Sequence, residues 1–313
     1  MIRAAVWAAA LSAGLARADA PAAAPAPAAA TAPRATMRGG EPVELRAVDG
    51  WVLRAAWGRA QPGKPTVVLL HGTGQRKEDW RLMTRALSAR GIGWLAVDMR
   101  GHGESRVSPS GERLNWHKLN AQRDLNDYED MTRDAEAGVG WLAGQGVPEE
   151  SIGLMGAEVG GSVAVKYAAV HPKVPFVVLL SPAVAWREVP IVNAIRAYKG
   201  RPILLVYSEA DRRSSREAPI LYQFARLSAG PDHAAQFVVA QERGTRMLRA
   251  DRGLIAEIAG WIENPVPPAP AISAAAVAGA AVSTGAASAA SVSTATAPAA
   301  PAPAAAPAAG DAL

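Results

Sequence analysis

The stretch Leu154-Met155-Gly156-Ala157-Glu158-Val159-Gly160-Gly161-Ser162 decides how this chain is read. An apolar run, Ser151 to Met155, leads into it, and a helix-compatible run, Val163 to Ala169, leads out. Apolar residues, a glycine-dense turn and then helix formers predict strand, tight turn and helix in immediate succession. Gly156 and Gly160 flank the turn, as a sharply folded backbone with helix and strand in close approach requires. The residue between them, at the tip, is Glu158.

Upstream of this turn, Val43 to Val48 and Trp51 to Trp57 lean towards strand around Asp49-Gly50, which predicts a hairpin. Pro65 opens the apolar run Thr66 to Leu70, which ends in His71-Gly72-Thr73-Gly74. Lys77 to Arg90 has helical spacing, with Trp80, Leu82, Met83 and Leu87 largely on one face. The next buried strand, Ile92 to Val97, runs into Asp98-Met99-Arg100-Gly101-His102-Gly103-Glu104-Ser105. A polar loop from Arg106 to Asp124 follows, then a long amphipathic candidate helix over Asp127 to Leu142, closed by Gly144 and Gly146.

Downstream, Val174 to Leu180 is an all-apolar strand ending at Ser181-Pro182-Ala183, and Ile191 to Tyr198 is a short candidate helix. Pro202 to Tyr207 is a strand ending at Ser208-Glu209-Ala210-Asp211. Ser214 to Leu227 reads as helix, Gln236 to Ala240 as a last strand and Asp251 to Ile262 as a last helix. Strands apolar on both faces, alternating with helices, call for an α/β fold with a mostly parallel sheet covered on both sides. The opening hairpin adds an antiparallel edge. The short span between Ala183 and Pro202 leaves room only for a minimal cap.

Composition sets the boundaries. Residues 19–36 and 264–313 are dominated by Ala, Pro, Ser and Thr with almost no charge, and bury too little apolar surface to offset the entropy of ordering them. They are expected to be a linker and a disordered tail around one domain at 37–263. Arg3 followed by the apolar segment Ala4 to Ala16 and the small-x-small site Ala16-Arg17-Ala18 predicts a signal peptide over residues 1–18, and hence an exported, periplasmic or secreted protein. That segment is too short to span a bilayer, and no transmembrane segment is expected. The net charge of +5 is spread over interspersed acids and bases, which gives no support to a nucleic-acid partner. The chain has no cysteine, which excludes disulfides, thiolate metal sites and a cysteine nucleophile. No cofactor is expected.

With these elements in order, the sequence resembles the α/β-hydrolase family over roughly residues 40–263. The resemblance rests on the His71-Gly72 loop, the Asp98 to Ser105 loop, the Gly156 to Gly160 turn, the Glu209-Ala210-Asp211 turn and the Gly244-Thr245-Arg246-Met247-Leu248 segment. In that family the turn is a nucleophile elbow, G-x-S-x-G, and active members use a serine, an acid and a histidine in that chain order. Carried over, the nucleophile position is Glu158, the acid position is Asp211, and the histidine position, before Gly244-Thr245, is Arg243. The resemblance also assigns an oxyanion hole to the backbone N–H groups of Thr73 and Val159.

Two of the three triad positions thus hold other chemistry. Serine hydrolysis needs a base that takes and returns a proton, and a guanidinium stays protonated at any relevant pH. Of the five histidines, His71 and His102 sit in loops with structural duties in the family, His117 is in the polar loop, and His171 ends the elbow helix. His233 precedes the last strand and so falls at the wrong end of the sheet. Ser162 lies one helical turn past the tip, with local backbone hydrogen bonding its expected role. The expectation is therefore a pseudoenzyme: a hydrolase fold without serine-hydrolase activity, binding a small-molecule or protein ligand at the former pocket. The alternative is a hydrolase of esters, amides or carbon–halogen bonds through non-standard residues, Glu158 attacking through its carboxylate.

Three structural expectations follow. Glu158 and Arg243 form an ion pair with Asp211 on the far side of the guanidinium, so that Glu158→Gln loses stability. The Glu158 carboxylate leans into the oxyanion hole. Trp116 and Trp186 line the rim of an open pocket shaped by the polar loop.

Overall fold

In a computed structural model, residues 37–265 are described, apart from 38 and 123. The expected signal peptide, the linker and all but the first two residues of the tail lie outside that range. Eight strands form one sheet: β1 (Glu41–Arg46), β2 (Val52–Gly58), β3 (Thr66–Leu70), β4 (Gly93–Asp98), β5 (Ile152–Ala157), β6 (Val177–Leu180), β7 (Ile203–Ser208) and β8 (Ala234–Val239). Their spatial order is β1-β2-β4-β3-β5-β6-β7-β8. β2 is antiparallel to both β1 and β4, while all neighbours from β4 to β8 are parallel.

Helices cover both faces: α1 (Arg81–Ala89), α2 (Thr132–Gly144), α3 (Val159–Val170), α4 (Val192–Ala197), α5 (Ser214–Ser228), α6 (Met247–Ala250) and α7 (Arg252–Glu263). Successive strand residues point to opposite faces, so the sheet divides the core in two. Val68, Leu70, Leu95, Val97 and Leu154 pack with Val163 of α3 and Leu142 of α2. Val67, Leu69, Ala96, Met155 and Val178 pack with Met83 of α1 and Ile258 of α7 on the other side. All five residues of β3 and all six of β4 and β5 are buried, which is why these strands read as continuous apolar runs.

The elements follow the sequence expectation, with displaced boundaries. The helix after the turn starts at Val159, not Val163, because Gly160 and Gly161 are already wound into its first turn. Lys77–Trp80 is a separate 3-10 turn before α1, and α2 begins five residues later than expected. The polar loop contains a 3-10 turn at Trp116–Lys118 and a two-stranded ribbon, Ala121–Gln122 with Leu125–Asn126. The minimal cap holds a second ribbon, Ala185–Trp186 with Val189–Pro190. Among the described residues no helix is long and apolar enough to cross a membrane.

From β3 the chain steps to β4 on one side and later to β5 on the other. This reversal opens a crevice at the strand C-termini, the place where open α/β sheets gather ligands. The loop at His71 and the turn at Glu158 both lie there.

Candidate functional site

Glu158 is the tip of the turn in conformation as well as in sequence. Its backbone sits at φ 51°, ψ −118°, a strained setting for a residue with a side chain. The turn closes because its glycines admit no side chain. A Cβ on Gly156 would stand 2.2 Å from the Gly160 carbonyl oxygen, and one on Gly160 would stand 2.3 Å from that of Leu70. The strand supports the tip through the Glu158 N–H, which donates to Leu180 O at 2.8 Å.

The Glu158 side chain is almost fully buried and is wedged between two more glycines. Its Oε2 lies 3.0 Å from where a Gly72 Cβ would be, and its Oε1 lies 3.1 Å from that of Gly244. The carboxyl therefore faces the His71-Gly72 loop. Among the described residues the N–H groups of Thr73 and Val159 donate to no group, Glu158 included, so the expected filling of the oxyanion hole by that carboxylate is corrected; the Gly72 N–H donates to Gln75 Oε1 at 2.9 Å.

Arg243 approaches from the loop after β8, with Nε 3.3 Å from Glu158 Oε1 and nearly half its side chain exposed. Burial pushes the Glu158 carboxyl above the usual carboxylate range, and Asp211 adds to that; Arg243, Arg246 and Arg187 pull the other way without reversing it. The expected ion pair with Glu158 is formed, but the stability loss expected for Glu158→Gln does not follow from it. One exposed guanidinium at 3.3 Å does not replace the hydration that the carboxylate gives up.

Asp211 does not complete a chain through Arg243, and here too the expectation is corrected. Its Oδ1 accepts from the N–H groups of Arg213 at 3.3 Å and Ser214 at 3.4 Å, at the start of α5. Its Oδ2 is buried with no hydrogen-bond partner among the described residues. Arg243 and Asp211 share only the walls of an open pocket of about 320 Å³, completed by Ala210, Glu242 and Arg246. That pocket lies beside the β7 and β8 loops and not under the polar loop. Ser162 also departs from expectation, since its buried hydroxyl has no partner among the described residues.

The histidines stay out of the site. His71 Nε2 accepts from the Met99 N–H at 3.1 Å, and its Nδ1 faces Gly72 O at 2.8 Å. His102 bonds Arg100 O at 2.9 Å, and burial brings its pKa down to about 3. His117 stacks on Trp116, His171 on Tyr167, and His233 bonds Ala229 O at the start of β8. Among the described residues none is hydrogen-bonded to Glu158 or Asp211.

Two residues of the site were missed by sequence reasoning. Ser181, at φ 50° on the end of β6, accepts from the Gly244 N–H at 2.8 Å and so ties β6 to the loop carrying Arg243. Arg187 reaches Thr73 Oγ1 at 3.4 Å from the cap ribbon. Neither carries a sequence signal, because both positions depend on left-handed backbone at residues other than glycine. Trp116 and Trp186 are both half-buried, and Trp186 is fixed by its Nε1 donating to Ser181 O at 2.8 Å.

Known proteins agree with this architecture. A family model described as serine aminopeptidase, S33, matches residues 61–206. An esterase from Pyrococcus furiosus superposes with a TM-score of 0.57 at 19% identity, covering 72% of this chain and 91% of its own. A dienelactone hydrolase from Anabaena variabilis gives 0.56 at 16%, covering 72% and 98%. A predicted CIB-like hydrolase from Thermoplasma acidophilum gives 0.53 at 19%, covering 72% and 100%. No protein with a curated description matches the chain.

Proposed function

We propose that this chain, which has the α/β-hydrolase fold, is an exported, catalytically silent hydrolase relative that binds a ligand at the C-terminal end of its sheet. The observation that carries this reading is the occupancy of the elbow tip. A buried carboxyl faces Arg243 at 3.3 Å, where active members of the family hold a hydroxyl and an imidazole. Arginine cannot take the proton that a serine mechanism must move. Loss of nucleophile or base in a well-studied serine protease lowers turnover by about 10⁶. The carboxylate-nucleophile alternative is disfavoured because, among the described residues, no imidazole is hydrogen-bonded at the site to activate water.

A panel of short-chain aryl esters tests the reading. The wild type is expected to show no turnover above buffer, whereas turnover that Glu158→Ala abolishes would make the protein an enzyme. Esterase activity appearing only when Glu158→Ser and Arg243→His are combined would mark the pocket as a disabled hydrolase site. Export is checked by the mass of the mature protein, which should lack residues 1–18.

A further inference from the structure

The cap ribbon turns on Arg187-Glu188, and both residues have left-handed backbone, at φ 51° and 57°. A two-residue turn of this kind favours Asn-Gly, which tolerates positive φ at little cost. An arginine held there against its preference draws attention to what it reaches. Its guanidinium carbon lies 5.5 Å from the Trp116 ring centre and 5.4 Å from that of Tyr128, within cation–π range of both. The Tyr128 hydroxyl donates to Trp116 O at 2.9 Å, which joins the two aromatic residues into one wall. Asn126 Nδ2 donates to Arg187 O at 2.9 Å and steadies the turn itself.

Arg187 spends only its Nε, on Thr73 Oγ1. Among the described residues its two terminal nitrogens meet no acceptor and no carboxylate, whereas Arg243 faces Glu158 and Arg246 faces Glu242. A planar cation, oriented by aromatic faces and with its two-nitrogen end unengaged, matches a planar anion that accepts two parallel hydrogen bonds. One such fork balances one negative charge. The Glu158 carboxyl, close enough to feel the Arg187 charge, opposes a second. Trp116 is only half-buried and offers apolar surface to a ligand body, while Tyr128 is buried beneath the guanidinium and serves only to orient it.

We infer that Arg187 anchors a site for an organic monocarboxylate, its carboxylate on the guanidinium fork and its apolar or aromatic body along Trp116. This rests on reading the strand-end crevice as a binding pocket, and it names the ligand class of that pocket.

Calorimetric titration of the full chain with phenylacetate, phenylacetamide and phenyl phosphate tests the inference. Phenylacetate should bind at least about 10-fold more tightly than its neutral amide, as expected for a charge-assisted hydrogen-bond pair. Arg187→Gln should weaken phenylacetate by about 10- to 100-fold while leaving amide binding and the thermal midpoint unchanged. Arg187→Lys should recover only part, since an ammonium lacks the fork. Arg226→Gln, in the last turn of α5, should change nothing. Failure of phenylacetate to bind, equal affinity for acid and amide, or indifference to Arg187→Gln would each overturn the inference. Tighter binding of phenyl phosphate would overturn the carboxylate assignment. Ester turnover by the wild type with phenylacetate binding intact would defeat the silent-enzyme reading and leave the anion site standing.

Discussion

Asp98 and Glu158 are two carboxylates at the C-terminal end of one sheet, and both are withdrawn from water, with side-chain exposures of 0% and 5%. Asp98 accepts from the Lys77 N–H at 2.7 Å, from Lys77 Nζ at 2.7 Å and from the Glu104 N–H at 2.9 Å. Glu158 has the Arg243 Nε at 3.3 Å. Burial pushes both carboxyls up. For Asp98 the Lys77 charge, with His71 and the hydrogen bonds, more than reverses it, and the group ends below the ordinary range. Glu158 ends above it. Equal burial thus produces opposite acids, and the number of donors aimed at the oxygens makes the difference. The Asp98 cluster holds the loop after β4 in place; the elbow keeps a carboxyl that is under-satisfied and faces the His71-Gly72 loop.

The contrast breaks most readily on the Asp98 side. Gly103→Ala would put a Cβ 2.1 Å from Asp98 Cγ at a residue with φ 48°, and should cost at least about 3 kcal/mol in urea unfolding. Asp98→Asn leaves the Lys77 ammonium, only 8% exposed, without its closest buried counter-charge. A loss of about 3 kcal/mol is expected, at the low end for a broken buried pair because Glu78 and Glu104 remain within reach.

The two carboxylates should also answer pH with opposite signs. With its folded pKa depressed, Asp98 contributes stability that is present above the ordinary carboxylate pKa and lost as pH falls through the folded value. With its folded pKa raised, Glu158 contributes a penalty that is absent below the ordinary carboxylate pKa and grows as pH rises through the folded value. Glu158→Gln should therefore match the wild type near pH 4 and exceed it by up to about 1 kcal/mol near pH 8. A loss of stability at pH 8 would mean that the Arg243 contact outweighs burial. The smallest effect belongs to Gly72→Ala, whose new Cβ meets only the ends of the Glu158 and Gln75 side chains at 3.0 and 3.1 Å. Both can give way, and less than about 1 kcal/mol is expected.

How much was legible from the residues varies by element. The buried strands were readable because runs such as Thr66 to Leu70 are apolar on both faces, and the tip residue was readable because Gly156 and Gly160 bracket it. Helix starts were misjudged where glycine lies inside the first turn, as in α3, since tertiary packing there overrides a poor helix propensity. Ser181 and Arg187 were missed because Ser-Pro and Arg-Glu advertise nothing of the left-handed backbone they adopt. The side of Asp211 that Arg243 would face was misplaced, since chain order brings two loops together without setting the direction of a long side chain.

By itself, then, the sequence determined the layering of the sheet, the place of the turn and the chemical identity of its tip, because periodicity and glycine spacing are local properties of the chain. Tertiary structure alone decided that Glu158 lies between Gly72 and Gly244, that its proton is held more tightly than that of Asp98, and that Arg187 stands over Trp116. Each of these depends on how many donors and how much water surround a group, and those are set by segments tens of residues apart meeting at one end of the sheet.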